Sequence, residues 1–191
     1  VLVLGGSQGA RALNEAVPRA LASARTPVRV VHQCGRIHEA ETRARYAELG
    51  AGDRATVVAF IDDMPAAIGA AHLVVSRAGA SAVSEICAVG RPSLLVPYPF
   101  AAADHQRHNA EALARAGAAL TLASDDAAPE RLADEIDRLA SEPGRLPAMA
   151  DAARALGRPH AAEAIARDLL ALAGLGAAVG GGATGAAGEG R

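Results

Sequence analysis

A glycine-rich stretch near the start of the chain has the composition of a phosphate-binding turn. Residues 5–10 are GGSQGA, and they lie between the apolar residues 1–4 and a helical pattern that begins at Ala10. Glycines let the backbone approach a ligand closely, and a helix start offers unpaired N–H groups and the positive end of its dipole. The stretch therefore predicts an anion site, although a tight strand-to-helix turn without a ligand shows the same pattern.

Two common phosphate motifs do not fit this stretch. A P-loop needs a lysine followed by Ser or Thr, and the chain contains no lysine. A dinucleotide fingerprint needs the spacing GxGxxG and an acidic residue at the end of the second strand, whereas the second strand here runs VRVVHQCG. The pattern thus disfavours both a P-loop nucleotidase and a nicotinamide-dependent oxidoreductase.

A second helix start with the same character follows the apolar residues HLVV. The segment SRAGASAVSE, residues 76–85, has no acidic residue in the first turn of its predicted helix, so the helix end is open to an external anion. Glu85 lies one to two turns into this helix, where its carboxylate could accept hydrogen bonds from the two hydroxyls of a ribose. An exposed glutamate near a helix start is equally compatible with a solvated residue that stabilises the dipole.

A third loop, after the strand pattern SLLV, introduces side chains suited to neutral hydroxyl groups. Gln106 and Asn109 are spaced i, i+3 on one face of a helix for which Asp104 is the predicted N-cap. Each side-chain amide can both donate and accept a hydrogen bond, which matches a sugar hydroxyl. His105 and His108 have the same spacing, but no further ligands accompany them, so we expect no metal site.

The stretch FIDDMP, residues 60–65, follows a strand pattern and precedes a short helix. A loop in this position can bind the edge of a nucleobase through its main chain. Asp62 or Asp63 can also cap the next helix, and the two interpretations are compatible.

These candidate residues require alternating strands and helices to position them. The apolar strand patterns and the helical periodicity together predict an α/β fold, a Rossmann-like doubly wound parallel sheet with helices on both faces. The predicted strands are residues 1–4, 28–32, 56–60, 72–76, 93–96 and 119–122. The predicted helices are residues 10–24, 38–49, 64–71, 80–89, 104–116, 129–141, 146–156 and 161–173.

Composition narrows the class of protein further. The net charge of −2 and the aromatic content of 2% argue against a nucleic-acid-binding surface. No apolar run reaches the length of a transmembrane helix, so any membrane association is expected to be peripheral. Cys34 and Cys87 lack metal-ligand spacing, which indicates buried thiols in a reducing cytosol. Residues 174–191, rich in Gly and Ala, are predicted to be a disordered tail after a domain of residues 1–173.

The stretches above occur together in one family. The chain resembles the MurG family of peptidoglycan glycosyltransferases in GGSQGARALNEAVP, in HQCG and in FIDDMPAAIGAAHLVVSRAGASAVSEICAVGRPSLLVPYPFAAADHQRHNAEALARAGAA. These pieces follow the family's order and spacing and cover about residues 1–122. The resemblance implies a GT-B fold, in which this chain is the C-terminal, donor-binding half of a GT-B glycosyltransferase.

The resemblance also implies a reaction and a set of roles. Such enzymes transfer GlcNAc from UDP-GlcNAc to undecaprenyl-diphospho-MurNAc-pentapeptide (lipid I) and form lipid II, on the inner face of the cell membrane and without a cofactor or metal. By this likeness the main chain of Ile61 binds the uracil, and Glu85 holds the ribose hydroxyls. The remaining donor contacts implied by the family are Ser7, Gln8, Ala80, Ser81, Ala82, Val83 and Ser84 around the diphosphate, and Gln106, Asn109 and the Ala80 amide on the sugar.

Two departures from the family pattern qualify these roles. Family members commonly carry Ser at position 78 and Leu-Thr at positions 81–82, where this chain has Ala78, Ser81 and Ala82, so that one hydroxyl contact to phosphate is lost. The acceptor domain, which is expected to hold most catalytic residues, is absent from this chain, and the start within a strand suggests a fragment. Two alternatives are another GT-B enzyme, such as a UDP-GlcNAc 2-epimerase or a glycolipid glycosyltransferase, and a non-catalytic UDP-sugar-binding module.

Overall fold

A computed structural model of the chain describes residues 1–6, 9–123 and 128–175. The chain divides into two compact units, Val1–Gly157 and Arg158–Arg191. The first unit contains all the candidate binding residues. Ser7 and Gln8 lie outside the described residues, as does the predicted tail from residue 176 onward.

The first unit is built on one parallel sheet of six short strands. In sheet order the strands run β3-β2-β1-β4-β5-β6, the order of a doubly wound nucleotide-binding domain. The predicted fold class is therefore confirmed. The strands are β1 Leu2–Leu4, β2 Val30–Gln33, β3 Ala55–Val58, β4 Val74–Ser76, β5 Ser93–Leu95 and β6 Ala119–Thr121.

Helices cover both faces of this sheet. In β1, Val3 joins an apolar cluster with Leu13 on one face. Its neighbour Leu2 joins another cluster with Ile68 and Ile86 on the opposite face. This alternation follows from the pleat of a strand, which turns successive side chains to opposite sides. Because both faces are buried, the strand sequences are wholly or largely apolar, as expected for a parallel sheet.

The helices of the first unit begin close to the predicted residues. Gly90, with a φ of 74°, ends the helix before it, because a left-handed residue closes a helix most readily when it has no Cβ. The helices are α1 Arg11–Ser23, α2 Glu39–Glu48, α3 Met64–Ala70, α4 Ala80–Val89, α5 His105–Arg115, α6 Pro129–Ser141 and α7 Arg145–Leu156. The sequence thus places every one of these helices to within a few residues.

The second unit contributes one described helix, α8 Ala161–Leu172. Ile165, Leu169 and Leu172 of this helix share an i, i+4, i+7 spacing and are more than half exposed. None of the helices in the described ranges combines the length and the apolar character needed to cross a membrane.

Candidate nucleotide-sugar site

The sheet is continuous, but the strand order changes direction between β1 and β4. At this break in the order, two helices begin. From β1 the chain continues through β2 to β3 on one side, while β4 starts the other half of the sheet. Leu4 pairs with Ser76, so the loops after β1 and β4 leave the sheet at the same level. Ligands of open parallel sheets bind outside the carboxyl ends of the strands at such a break. The loops that carry the first two candidate motifs therefore lie on either side of one crevice.

Both helices at this crevice begin without a cap of their own. The N-cap residues are Ala10 for α1 and Gly79 for α4; neither forms a side-chain capping hydrogen bond, and neither first turn contains an acidic residue. Each helix therefore leaves N–H groups and the positive end of its dipole for another acceptor. The two helix starts thus have the open N–H groups that the predicted anion site requires, and the anion itself stays a prediction.

The loop after β1 approaches the end of β2 very closely. A Cβ atom on Gly5 would lie 2.8 Å from the carbonyl oxygen of Gln33, and one on Gly9 would overlap the carbonyl oxygen of Cys34. Gly9 also has a φ of 77°, which disfavours any other residue. These two glycines fix the loop against the backbone of β2, with Ser7 and Gln8 between them in the chain.

The predicted residues at the start of α4 have different environments. Ala80, Ser81, Ser84 and Glu85 are exposed and Ala82 is half-buried, so each can reach a ligand through its main chain or side chain. Val83 is buried in an apolar cluster, and its N–H donates to the carbonyl oxygen of Gly79 at 3.0 Å. Ala80, Ser81 and Ala82 have no acceptor for their N–H groups within the helix. Their amides are therefore the ones that an anion can reach, and Val83 supports them by packing.

Arg77, in the loop between β4 and α4, ties this loop to its neighbour. One guanidinium nitrogen donates to the carbonyl oxygens of Val96 at 3.0 Å and Pro97 at 3.1 Å. The guanidinium carbon lies 5.6 Å from the centre of the Tyr98 ring, a cation–π distance. Burial lowers the pKa of Arg77. Sequence reasoning gave this residue no role, although a single arginine directly after an apolar strand was a usable signal.

Gln106 and Asn109 each use one end of the side-chain amide to hold the site together. The Gln106 Oε1 atom accepts a hydrogen bond from the backbone N–H of Tyr98 at 3.0 Å. The Asn109 Nδ2 group donates to the carbonyl oxygen of Ala78, also at 3.0 Å. The remaining polar groups are a donor on Gln106 and an acceptor on Asn109. The pair can thus offer both a donor and an acceptor to a ligand, and the sugar contact stays a prediction.

The predicted N-cap of α5 is wrong. Asp104 occupies the N-cap position but forms no capping hydrogen bond, and its carboxylate pairs with Arg107 instead. Its φ of 55° and that of 49° at Ala103 turn the chain through two successive left-handed residues. This backbone directs the Asp104 side chain away from the helix amides that a cap would satisfy.

The loop after β3 confirms one interpretation of its sequence, the helix cap, while the nucleobase contact stays a prediction. Asp63 caps α3, because its carboxylate accepts from the backbone N–H of Ala66 at 3.0 Å. Ile61 is half-buried against the apolar cluster that contains Ile68. Its main chain lies in the loop beyond the carboxyl end of β3, at the same edge of the sheet as α1 and α4.

The cysteines and histidines do not form a site of their own. Cys34 and Cys87 are both buried and unpaired with another cysteine, and burial raises the pKa of each thiol. The Nδ1 atom of His105 lies 2.7 Å from the carbonyl oxygen of Ala102. Across residues 1–6, 9–123 and 128–175, no three His, Cys, Asp or Glu side chains are grouped as metal ligands.

A cavity of about 670 Å³ opens at the opposite edge of the sheet. It is lined by residues at the amino ends of the strands, among them Leu2, Val30, Thr56 and Leu73. It therefore lies at the other end of the strands from the two helix starts and is separate from the crevice between them.

The fold and the crevice define the class as a Rossmann-like nucleotide-binding domain of the GT-B type. Residues 1–165 match the glycosyltransferase family 28 C-terminal domain, and the chain belongs to this family. It is 57% identical over 176 residues to a Sorangium cellulosum protein named UDP-N-acetylglucosamine–N-acetylmuramyl-(pentapeptide) pyrophosphoryl-undecaprenol N-acetylglucosamine transferase. That match covers 91% of this chain and 44% of the relative, so the chain spans less than half the relative's length.

Solved structures agree with this assignment. The crystal structure of Acinetobacter baumannii MurG is similar with a TM-score of 0.82 and 38% identity, over 90% of this chain and 49% of that one. The glycosyltransferase VinC, solved in complex with dTDP, is similar with a TM-score of 0.64 and 26% identity, over 91% of this chain and 41% of that one. The resemblance inferred from the motifs is thereby confirmed.

Proposed function

We propose that this chain is the donor-binding domain of a hexosyltransferase of peptidoglycan synthesis. The whole enzyme would transfer GlcNAc from UDP-GlcNAc to the muramyl sugar of undecaprenyl-diphospho-MurNAc-pentapeptide, lipid I, and so form lipid II. The observation that carries the proposal is the pair of uncapped helix starts, α1 and α4, on either side of the break between β1 and β4. A diphosphate fits between two such helix ends because both present N–H groups and positive dipole ends.

The diphosphate is the part of the donor at which this domain aids the reaction. As the bond from the sugar to the diphosphate breaks, negative charge grows on the departing phosphate. We assign Ser7, Gln8 and the amides of Ala80, Ser81 and Ala82 to this charge. A donor aimed at the developing charge typically contributes about 3–4 kcal/mol to the stability of a transition state.

The rest of the donor is assigned to residues around the same crevice. Glu85 is exposed on α4, between one and two turns from its start, and its carboxylate can accept from both ribose hydroxyls. Asn109 lies beside the start of α4, because it donates to the carbonyl oxygen of Ala78. Its acceptor and the donor group of Gln106 are assigned to hydroxyls of the sugar. The main chain of Ile61 is assigned to the uracil.

The acceptor and the membrane belong to the whole enzyme in this proposal. The chain spans less than half the length of the Sorangium relative, whose printed name includes a pyrophosphoryl-undecaprenol acceptor. Such a polyprenyl acceptor lies in the membrane, so we place the whole enzyme in the cytoplasm, peripheral on the inner face of the cell membrane. Activation of the acceptor hydroxyl is assigned to the remaining part of the enzyme.

The first test is the affinity of the 191-residue chain for UDP and its sugars by isothermal titration calorimetry. Replacing Glu85 by Ala should weaken UDP binding about tenfold, because hydrogen bonds to a charged group contribute about 1.5–3 kcal/mol. The matched control is Glu48→Ala, which removes another exposed glutamate at the far end of α2 and should leave UDP affinity unchanged.

Selectivity among donors provides the second test. UDP-GlcNAc should bind more tightly than UDP-glucose and UDP-galactose in competition experiments. An equal affinity for all three sugars would contradict a GlcNAc transferase, and an unchanged UDP affinity in Glu85→Ala would contradict any nucleotide-sugar site at this crevice.

A further inference from the structure

A buried polar network joins α2, β2 and α1 in the first unit. The side chains of Tyr46, His32 and Asn14 are 1%, 0% and 3% exposed in an interior that is otherwise largely apolar. The Tyr46 hydroxyl lies 2.9 Å from His32 Nδ1, and Asn14 Oδ1 lies 3.0 Å from His32 Nε2. Asn14 Nδ2 then donates to the carbonyl oxygen of Cys34 at 2.9 Å. The proposed donor contacts use none of these three side chains.

The Cys34 carbonyl, the last acceptor in this network, determines which atom donates in every other bond. The Cys34 carbonyl can only accept, so the Asn14 amide must turn its NH2 group toward it and its oxygen toward His32. His32 therefore carries its proton on Nε2 and offers a lone pair on Nδ1, to which the Tyr46 hydroxyl donates. Burial lowers the pKa of His32 to about 4, so the neutral ring required by this arrangement is the stable form near neutral pH.

The network ends directly beneath the glycine loop of the crevice. The Cys34 carbonyl oxygen, which Asn14 holds, is the atom that a Cβ on Gly9 would overlap. Gly9 in turn closes the loop by donating its N–H to the carbonyl oxygen of Gly6 at 3.0 Å. Because Gly9 leaves no room for even a Cβ against the Cys34 carbonyl oxygen, a shift of that carbonyl toward the loop displaces Gly9 and its bond to Gly6.

We propose that Tyr46 and His32 are positioning residues for the diphosphate loop and act on it through Asn14 and the Cys34 carbonyl. The inference rests on the proposed function, in which this loop binds the donor diphosphate. Without the Tyr46 hydroxyl, the buried Nδ1 lone pair of His32 has no donor, and of the two side-chain partners only Asn14 still holds the ring. The ring can then tilt, which moves Nε2 and, through the Asn14 amide, the Cys34 carbonyl.

The experiment compares Tyr46→Phe with wild type in the binding of UDP and of uridine, each followed by NMR titration of the 191-residue chain. Uridine lacks the diphosphate and so reports on the rest of the site. The control is Leu139→Val, a core change on α6 beside the cavity at the amino edge of the sheet. Temperatures are chosen at which all three proteins are folded, so that lost stability does not enter the comparison.

We expect Tyr46→Phe to weaken UDP binding about two- to fivefold, because binding must then restore order that the buried hydrogen bond gives the free protein, and to change uridine binding less than twofold. Hydrogen exchange of the Gly9 amide in the ligand-free protein should become at least several-fold faster in Tyr46→Phe and stay unchanged in Leu139→Val.

Two results would overturn the inference. One is UDP binding by Tyr46→Phe equal to that of wild type, and the other is an equal loss for UDP and uridine, which would indicate a general structural effect. If wild type bound no UDP, the proposed function would fail, while the exchange rate of Gly9 would still decide whether Tyr46 positions the loop.

Discussion

At the scale of single residues, Gly9 carries a constraint that the left-handed Gly50 lacks, because a Cβ on Gly9 would overlap a backbone carbonyl oxygen. Gly9 and Gly50 have φ values of 77° and 66°, but only at Gly9 would a Cβ meet another part of the protein. Gly9→Ala should therefore lower the free energy of unfolding at least twice as much as Gly50→Ala, for which we expect about 1 kcal/mol from the left-handed backbone alone. Urea denaturation measures both, and equal losses would show that the loop can move away from Cys34.

His32 makes the stability of the fold depend on pH. Burial lowers its pKa in the folded protein to about 4 from an ordinary 6.5, so between these values the unfolded chain binds a proton that the folded chain does not. The contribution of His32 to the free energy of unfolding is thus fully present above pH 6.5. It falls as the pH drops toward 4, by about 3 kcal/mol in total.

Urea denaturation at several pH values between 7 and 4 measures this dependence. In His32→Gln the part of the pH slope due to His32 should disappear, whereas His72→Gln, which removes an exposed histidine, should retain it. The same slope in wild type and in His32→Gln would assign the dependence to other groups.

The sequence indicates the polar residues around the crevice more readily than the buried residues that support it. Glu85, Gln106 and Asn109 carry polar groups at helix starts, where spacing alone indicates their use. His32 gave no such signal, because a histidine at the end of an apolar strand does not show which residues of other elements will meet it. Only the packing of α1 and α2 on β2 brings Asn14 and Tyr46 to its two ring nitrogens.

At the scale of elements, α3 depends on its cap. This helix has only 7 residues, and Asp63 satisfies one of its first N–H groups. Asp63→Ala should lower the free energy of unfolding by about 1 kcal/mol, the usual effect of losing an N-cap. The neighbouring Asp62→Ala removes the same charge without the cap and should cost much less in chemical denaturation. Equal losses would show that charge, and not the capping bond, matters here.

The bounds of helices are predicted closely where local signals define them. Gly90 follows the last residue of α4, and the proline at position 129 is the first residue of α6. Both helices agree with the prediction residue for residue. The strands are shorter than predicted, because apolar residues continue past the last paired residue into buried loops such as the one at Val96. The prediction of the Asp104 cap fails for a different reason. The residue has a left-handed backbone, which the sequence pattern did not indicate.

At the scale of the whole molecule, donor binding and transfer should be separable. We expect the 191-residue chain to bind UDP-GlcNAc weakly and to transfer no sugar, because acceptor activation is assigned to the rest of the enzyme. Transfer of radiolabelled GlcNAc to a lipid I analogue measures this, with the full-length Acinetobacter baumannii protein as the positive control. Measurable transfer by the chain alone would contradict the proposed division of labour.

The overall topology was the most predictable level of this protein. The alternation of apolar strands and amphipathic helices permits few arrangements, because crossover connections between parallel strands are right-handed and both faces of the sheet must be covered. The sequence patterns did not indicate the boundary after Gly157, since the helical periodicity continues into α8 on the other side of it.

The central position of β1 has a consequence for how the domain folds. β1 is the strand that joins the β3-β2 half of the sheet to the β4-β5-β6 half, and its Leu2 pairs with Val74, roughly seventy residues further along the chain. Pairings between such distant segments close large loops and form slowly. The crevice lies between the loops after β1 and β4, so it forms only after the two halves have docked. Recovery of UDP binding during refolding should therefore lag behind the appearance of helical structure.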